Sequence, residues 1–306
     1  MNHILYTKNF QDKIIGLLFV LTFFSSCSPT VYMLDHKPKF AGQLYRKSVV
    51  NKTQNKISNS GDNPSLLKNG VEELTTYAFG FLMEESDRAM LDNYSKAKEL
   101  ESRAHQYFSE AVEYGESALD ILYENYIEWV SDNSGDIILT PNSEDLELFY
   151  WTAAAYGGAI SSSGGNPTWI IKLPRVGKLL NSIVAIDSSW NHGAALVALI
   201  SFTMNNPLIT PDEANKISKN LFNAAVDASQ GLDMGPYLTY AESVSKVRQD
   251  KEEFIELLNE ALKIDILSAK DFQLTNTISR NRAEWLLENI DEFFYLSLIH
   301  ISEPTR

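Results

Sequence analysis

The residue types that carry out most enzyme chemistry are present in this sequence, but they are not grouped. The five histidines stand at positions 3, 36, 105, 192 and 300, so no two share a helical turn and a site with several His ligands has no support. Carboxylate pairs such as Glu252 and Glu253 are adjacent, and adjacent side chains point to different sides of a helix. The usual phosphate, dinucleotide, nucleophile-elbow and zinc-protease motifs are absent from the sequence. We therefore predict no enzyme activity, no cofactor and no metal; an enzyme would need a catalytic cluster assembled by tertiary contacts.

The single cysteine, Cys27, is the one thiol available for covalent chemistry. A lone cysteine excludes an intrachain disulfide and a zinc site built on cysteine ligands. It follows an apolar run at residues 14–24, which is shorter than the ~20 residues of a transmembrane helix but suits the core of a secretory signal.

The four residues that end at this cysteine, F-S-S-C, are similar to the lipobox of bacterial lipoproteins, where the signal is removed and the cysteine is acylated. Phe24 stands where that motif usually has Leu. We predict a lipoprotein signal peptide over residues 1–26 and lipidation of Cys27, with a free or buried cysteine after an ordinary signal peptide as the alternative. The body would then face the periplasm or the exterior, attached to a membrane surface by its acyl chains.

The segment that follows the cysteine is polar. It is rich in Lys, Asn, Ser and Thr and shows little apolar periodicity after Tyr45. Such a composition favours a tether of limited order. We therefore predict that residues 27–63 comprise the lipidated cysteine and a flexible tether.

The stretch at residues 148–193 carries the side chains best suited to recognising a ligand or a partner, because rigid aromatic residues favour recognition surfaces. The candidates for a channel lining or a partner surface are Tyr150, Trp151, Tyr156, Trp169, Trp190 and His192. Core packing is the more common role for such aromatic residues. A histidine such as His192 more often satisfies a helix start or an interface than it binds a ligand.

Two helices must position these side chains. In residues 148–159, aromatic residues alternate with Ala and Gly at helical spacing, which lets a neighbouring helix approach closely. Residues 161–167 form a turn cluster of Ser, Gly and Pro. A second helix then opens at Leu173 and Pro174, and its apolar residues follow the spacing of a half-buried face. The stretch therefore predicts a helical hairpin, followed by a further helix from Trp190 to Thr203.

Four stretches elsewhere share one pattern: a pair of aromatic or Leu residues, a polar residue, then Ala or Ile followed by Val or Leu. They begin at Tyr107, Leu179, Leu221 and Leu257, which are 72, 42 and 36 residues apart. Such spacing is typical of tetratricopeptide-like (TPR-like) arrays, whose hairpins bury their faces by stacking. We predict an all-α fold, an array of TPR-like antiparallel hairpins, over residues 64–296, with unrelated amphipathic helices as the alternative. Residues 297–306 look like translated sequencing adapter, and we predict that they are a non-native tail.

The overall charge argues against one class of partner. The net charge is −14 and the isoelectric point is near 4.8. A nucleic-acid binder needs clustered Lys and Arg to displace counterions. We therefore predict that the protein does not bind nucleic acid, while the acidic surface itself favours solubility.

Five motifs occur in an order typical of a known family. They are YWTAAAYGGAI from Tyr150, LPRVGKLL from Leu173, VAIDSSWNHG from Val184, DKEEFIELLNEALKID from Asp250 and RAEWLL from Arg282. On these motifs the body, residues 64–294, resembles the T-component lipoproteins of tripartite ATP-independent periplasmic (TRAP) transporters, with Ser188 in place of the usual Pro. The resemblance implies a lipid-anchored homotrimer of TPR-like protomers. It also implies binding to the periplasmic substrate-binding (P) component, and a channel through each protomer that admits small, including hydrophobic, ligands.

Two functional hypotheses follow. The first is a membrane-anchored accessory of solute uptake that docks the P component and hands over its ligand. The second is a generic TPR-like lipoprotein scaffold for envelope assembly or polymer uptake, with no transporter partner. The first predicts a discrete apolar channel, and the second predicts a polar concave groove.

Overall fold

The computed structural model describes residues 33, 36–61, 63–132 and 134–294. These residues form helices and connecting turns and contain no strand, which confirms the predicted all-α fold. The helices, in chain order, are α1 (Pro38–Tyr45), α2 (Asn51–Ser60), α3 (Pro64–Tyr77), α4 (Glu84–Ala89), α5 (Tyr94–Leu122), α6 (Tyr126–Ser131), α7 (Leu146–Ser161), α8 (Pro167–Ile170), α9 (Leu173–Ile186), α10 (Trp190–Asn205), α11 (Pro211–Ala228), α12 (Gly235–Tyr240), α13 (Lys251–Leu262) and α14 (Gln273–Glu288). Wider π-helical turns occupy Arg46–Val50, Ala78–Met83 and Ala241–Ser245.

Three sequence predictions concern parts of the chain outside the described residues. These are the signal peptide at residues 1–26, the acylation of Cys27, and the non-native tail at residues 297–306. They stay predictions. Among the described helices, none combines the length and the apolar character that crossing a membrane requires.

Helix starts follow the capping chemistry of the sequence. The Thr210 side chain accepts a hydrogen bond from the Glu213 backbone N–H at 3.4 Å, and Pro211 occupies the first position of α11. Asn63 caps α3 in the same way: its side-chain oxygen accepts hydrogen bonds from the backbone N–H groups of Ser65 at 3.0 Å and Leu66 at 3.3 Å. These caps satisfy donors that the helix leaves without partners. The order Thr210, Pro211, Asp212, Glu213 indicates such a start from the sequence alone, with an N-cap, Pro at the first helical position and acids in the first turn, and the structure confirms it.

Most of the described part of the predicted flexible tether, residues 27–63, is helical. Residues 38–60 form α1, a π-helical turn and α2, and Val50 is fully buried against the body. On α1, a Cβ added to Gly42 would lie 2.8 Å from the Phe81 ring, and the Tyr45 and Phe81 rings are 5.7 Å apart. These few apolar contacts order a segment whose composition alone is polar, because docking on the body stabilises helices that are marginal in isolation.

The long helices pack in chain order, each on the next: α3 on α5, α5 on α7, α7 on α9, α9 on α10 and α10 on α11. Their buried side chains form two cores. The N-terminal core collects buried residues between Val50 and Leu199, and the C-terminal core those between Ile200 and Phe294. Helix α10 contributes to both cores. It is therefore the element that links the two halves of the described chain.

The four similar stretches all lie in helices, in α5, α9, α11 and α13. Each buries part of its apolar residues. The fully or nearly fully buried members are Phe108, Ala111, Val112, Leu179, Leu180, Ile183, Phe222, Ala225, Leu257, Leu258 and Ala261. The helical assignment of these stretches is confirmed, and their origin as TPR-like repeats stays a prediction.

The contact between α5 and α7 depends on missing side chains. A Cβ at Gly158 of α7 would collide with the Phe108 ring of α5, and a Cβ at Gly115 of α5 would collide with Thr152 of α7. The two helices therefore approach more closely than side chains at these positions would allow. This confirms that small residues in the aromatic stretch permit close packing, at Gly158 though not at Gly157, where nothing lies within 4 Å.

Arg282 of α14 forms ion pairs with carboxylates of α4 and of the turn after α12. Its guanidinium lies 2.7 Å from Glu242, 2.9 Å from Asp87 and 3.1 Å from Glu84. Arg88 adds a second cation, 2.7 Å from Glu84. The C-terminal core is thereby tied to α4, which is nearly 200 residues earlier in the sequence.

We expect Gly158→Ala to lower the free energy of unfolding by about 1–3 kcal/mol, because the added methyl overpacks the α5–α7 contact. The neighbouring change Gly157→Ala is the matched control, and we expect it to raise stability by up to about 1 kcal/mol through higher helix propensity. Urea denaturation followed by circular dichroism measures both. Equal effects of the two variants would contradict the assigned contact.

Candidate functional site

A left-handed turn positions the start of α10. Asn191, His192 and Gly193 have φ values of 45°, 56° and 86°, so the first residues of the predicted helix from Trp190 are not helical. A Cβ at Gly193 would lie 3.0 Å from Ala228 and 3.4 Å from the backbone of Ala225, which explains the glycine. Left-handed non-glycine residues are rare and cluster at functional sites. Trp190 directly precedes this turn, and His192 is its middle residue.

The structure brings together three of the six candidate residues. The Tyr150 ring lies 5.3 Å from Trp151 and 5.4 Å from Trp190. We call these three residues the Tyr150 cluster. All three are half-buried, so they keep surface available for contact while packing against the N-terminal core.

Charged groups lie beside the Tyr150 cluster. Burial raises the pKa of the Tyr150 hydroxyl, and the negative charge of Asp233 raises it further. Burial also raises the pKa of Asp233, against the hydrogen bond from the Gly235 N–H at 2.8 Å and the positive potential of His192. His192 is exposed, and its ring lies 4.7 Å from Phe272. The Asp233 carboxylate is therefore within electrostatic reach of both Tyr150 and His192, and the sequence did not single it out.

A buried amide fixes the position of Asp233. Asn276 of α14 is fully buried. Its amide donates to the Leu232 carbonyl at 2.7 Å, and its carbonyl oxygen accepts from the Met234 N–H at 2.9 Å. A buried amide with both groups satisfied holds the chain between them in one conformation.

Tyr156 belongs to a different group. It is fully buried, its hydroxyl donates to Glu116, and Arg175 donates to the same hydroxyl at 2.8 Å and to Glu116 at 2.7 Å. Burial, with the nearby Glu116 carboxylate, raises the pKa of Tyr156. Because Tyr156 has no exposed surface, the expectation that it lines an open channel or touches a partner is wrong for this structure. It packs the interior and ties α5, α7 and α9 together.

Trp169 belongs to a third group of side chains, with His105 and Lys172. It is half-buried, its ring is 5.3 Å from His105, and the Lys172 ammonium is 4.4 Å from the ring centroid. The His105 Nδ1 atom is 3.1 Å from the Ala159 carbonyl oxygen. Trp169 is therefore apart from the Tyr150 cluster, and the six candidates do not form one continuous surface.

An apolar groove of about 890 Å³ lies in the part of the chain that the structure describes. Its size falls within the range of small-molecule sites. The groove is bounded by residues 130–135, by the start of α9, by the second half of α10 and by the turn at residues 206–209. Its most exposed apolar side chains are Ile171, 75% exposed, and Leu208, 87% exposed. None of the six candidate residues lines it.

The groove is lined by one aromatic ring, that of Phe202, and has charged groups at one edge. A Cβ at Gly177 of α9 would collide with Phe202 of α10, so this glycine lets the Phe202 ring lie across the floor. At the rim, the Lys178 ammonium donates to the Asp132 carbonyl at 2.5 Å. Hydrogen bonds from the Ser134 hydroxyl and then from the Ile137 N–H hold the pKa of Asp132 well below its usual range. Asp132 thus orders the loop that forms one wall.

The sequence contained two signs of this groove. Ile170 and Ile171 are adjacent apolar residues between a turn and a helix, and Leu208 is an apolar residue inside a turn that follows Asn206 and Pro207. Ile170 is the last residue of the short helix α8, and neither Ile171 nor Leu208 lies in a helix. The groove brings them together through tertiary contacts of segments far apart in sequence. Within the part of the chain that the structure describes, no group of His, Cys, Asp or Glu could hold a metal ion.

We expect the combined change Ile171→Asp and Leu208→Asp to weaken binding of the neutral apolar dye N-phenyl-1-naphthylamine on the order of tenfold, because the groove loses apolar surface and gains charge. Fluorescence titration measures the affinity. Ile138→Asp is the matched control, since Ile138 is 79% exposed but does not line the groove. Unchanged affinity in the groove variant would place dye binding elsewhere.

Two comparisons with known proteins identify the chain's relatives. The profile of the family described as TRAP transporter T-component matches residues 57–294. An uncharacterised protein of Treponema pallidum (strain Nichols) is 22% identical over 224 residues, which cover 71% of this chain and 68% of that protein. The family match includes α3 to α14 and therefore both cores, the Tyr150 cluster and the groove. The resemblance noted from the five motifs is confirmed, and the chain belongs to the TRAP transporter T-component family.

Proposed function

We propose that this protein is a lipid-anchored accessory of a TRAP-type solute uptake system that binds the P component and passes on a small apolar ligand. The observation that carries the proposal is the family match over residues 57–294. T-components are accessories of TRAP transporters, and the family gives no sign of an enzyme. Docking and ligand transfer go beyond that match and are the parts to be tested.

The groove supports ligand binding by this protein. Its lining is mainly aliphatic, with Phe202 on the floor and Lys178 and Asp132 at one edge. A groove of this size and composition suits a small ligand with a large apolar part and a polar end. The scaffold hypothesis predicts a polar concave surface instead, so the apolar lining favours the transport hypothesis.

The Tyr150 cluster supports a second role. Its rings, Tyr150, Trp151 and Trp190, are half-buried, and the charge of Asp233 acts on Tyr150. Rigid aromatic side chains beside a charged group are typical of surfaces that bind another protein or guide a ligand. We propose that this cluster, with Trp169 outside it, belongs to the ligand path or to the partner surface.

The proposed attachment to the membrane is inferred from the sequence. We propose that residues 1–26 are removed as a lipoprotein signal peptide and that Cys27 carries the lipid. The helical body at residues 64–296 then faces the periplasm as a TPR-like domain, and three copies associate as a homotrimer. Acyl chains contribute about 0.8 kcal/mol for each buried methylene group, so a multiply acylated cysteine suffices for attachment.

We expect the purified protein to bind the P component from the same genome, because the proposed role requires a direct complex. Biolayer interferometry with this protein immobilised measures the binding, and light scattering measures its mass in solution. The control is a periplasmic binding protein from an ATP-driven importer. A mass near three protomers and selective binding of the P component support the proposal. A monomer that captures only envelope-assembly proteins would support the scaffold hypothesis instead.

We expect cells fed radiolabelled palmitate to incorporate the label into the protein, because the lipobox directs acylation to Cys27. The variant Cys27→Ser should lose the label completely, whereas Ser28→Ala should keep it as the matched control. Gel electrophoresis of immunoprecipitated protein measures the incorporation. Label retained by Cys27→Ser would show that the lipid is attached elsewhere.

A further inference from the structure

Positive charge is concentrated in one short part of this acidic chain. Residues 36–60 contain six of the 26 Lys and Arg residues and none of the 40 Asp and Glu residues. The six cations are Lys37, Lys39, Arg46, Lys47, Lys52 and Lys56, and all of them are exposed. We call residues 37–60, which include α1 and α2, the basic arm. The remainder of the chain is therefore even more acidic than the net charge of −14 indicates.

The basic arm is fixed to the body by one side only. Gly42 and Tyr45 contact Phe81, Val50 is fully buried, and the Gln54 amide donates to Glu110 at 2.7 Å. These contacts hold the arm in a defined position, so its cations form part of the folded surface. Among the six, Lys39 has a carboxylate partner, Glu85, at 3.5 Å and remains 73% exposed in its side chain.

The other side of the arm presents apolar side chains to solvent. Phe40 is 55% exposed and Leu44 is 42% exposed. They are four residues apart in α1 and therefore share one face of the helix. Lys37 precedes them and Lys47 follows them. A helix with Phe and Leu on one face and Lys or Arg around them is typical of segments that lie in the interface of a membrane.

The position of the arm in the chain favours a lipid surface over a protein partner. Nine residues, 28–36, separate Cys27 from Lys37. A chain spans at most about 3.6 Å per residue, so whatever their conformation these residues keep the arm within about 35 Å of an acylated Cys27. This step rests on the proposed lipid anchor. The charge argument does not, since clustered cations next to exposed apolar residues bind anionic lipid without covalent attachment.

We propose that the basic arm binds the surface of a membrane that contains anionic phospholipid, with Phe40 and Leu44 inserted among the headgroups. Binding orients the body, because the acidic remainder of the chain is repelled by the same surface. The arm is thus a second, non-covalent membrane contact that fixes which side of the protein faces the lipid.

Vesicle binding tests this proposal without the acyl chains. The protein is the mature chain that the proposed processing leaves, residues 27–306, carrying Cys27→Ser. Sedimentation with vesicles of phosphatidylglycerol and phosphatidylcholine, or of phosphatidylcholine alone, measures the affinity at low and high salt. The arm variant combines Lys37→Gln, Arg46→Gln and Lys47→Gln. The matched control combines Lys216→Gln, Lys263→Gln and Lys270→Gln, which remove the same charge from exposed positions on the body.

We expect binding to the anionic vesicles only, and weaker binding at high salt because the charges are screened. Each cation removed from the arm should weaken binding on the order of fivefold, so the arm variant should lose about a hundredfold. The control should bind like the parent chain, and Phe40→Ser with Leu44→Ser should also weaken binding. Circular dichroism confirms that each variant is folded.

Three results would overturn the proposal: equal loss in the arm variant and the control, equal binding to neutral vesicles, or arm-dependent self-association without vesicles. The last result would show that the arm binds a second copy of the chain and not a membrane. Palmitate labelling reports on Cys27 separately. If the parent chain is labelled in cells while the Cys27→Ser chain fails to bind vesicles, the arm is refuted and the anchor stays intact.

Discussion

Arg282 is the interaction on which the arrangement of the two cores depends. Glu84 and Asp87 come from α4 and Glu242 from the π-helical turn after α12, and all three carboxylates lie within 3.1 Å of one guanidinium. Arg282 is only 14% exposed. Partly buried carboxylates at this distance repel one another unless a cation lies between them, and burial already raises the pKa of Asp87. A lysine would offer a single point of charge, whereas the planar guanidinium can meet all three groups at once.

The groove depends on the same arrangement. Its walls come from α9 and residues 130–135 on one side and from the turn at residues 206–209 and α11 on the other, with α10 between them. Leu199 of α10 belongs to the N-terminal core, and the next residue, Ile200, belongs to the C-terminal core. The groove therefore lies where the two cores meet. A rotation of one core relative to the other would change its width, and the ion pairs of Arg282 with Glu84 and Asp87, which join α14 to α4, oppose such a rotation.

Local patterns predicted the helices well, whereas features made by tertiary contact were not predictable. The cap at Thr210 and the start at Leu173 and Pro174 depend on neighbouring residues, and both are where the sequence indicated. The helix that begins at Trp190 was predicted, but its first turn was not, because three left-handed residues there end in a glycine that the approach of Ala225 and Ala228 requires. The groove was not predicted, because Ile171 and Leu208, which line it, are far apart in sequence. Aromatic content marked the Tyr150 cluster but also Tyr156, whose burial only the packing of α5, α7 and α9 determines.

The ordered basic arm changes how the protein can sit at a membrane. If residues 28–63 were all flexible, a lipid on Cys27 would allow the body to move up to about 125 Å from the bilayer and to turn in any direction. With residues 38–60 docked on Phe81 and around Val50, only the residues before α1 remain as a link. With the proposed lipid on Cys27, the body would then be confined to within a few nanometres of the bilayer. A soluble partner would be excluded from the face that the arm holds against the membrane.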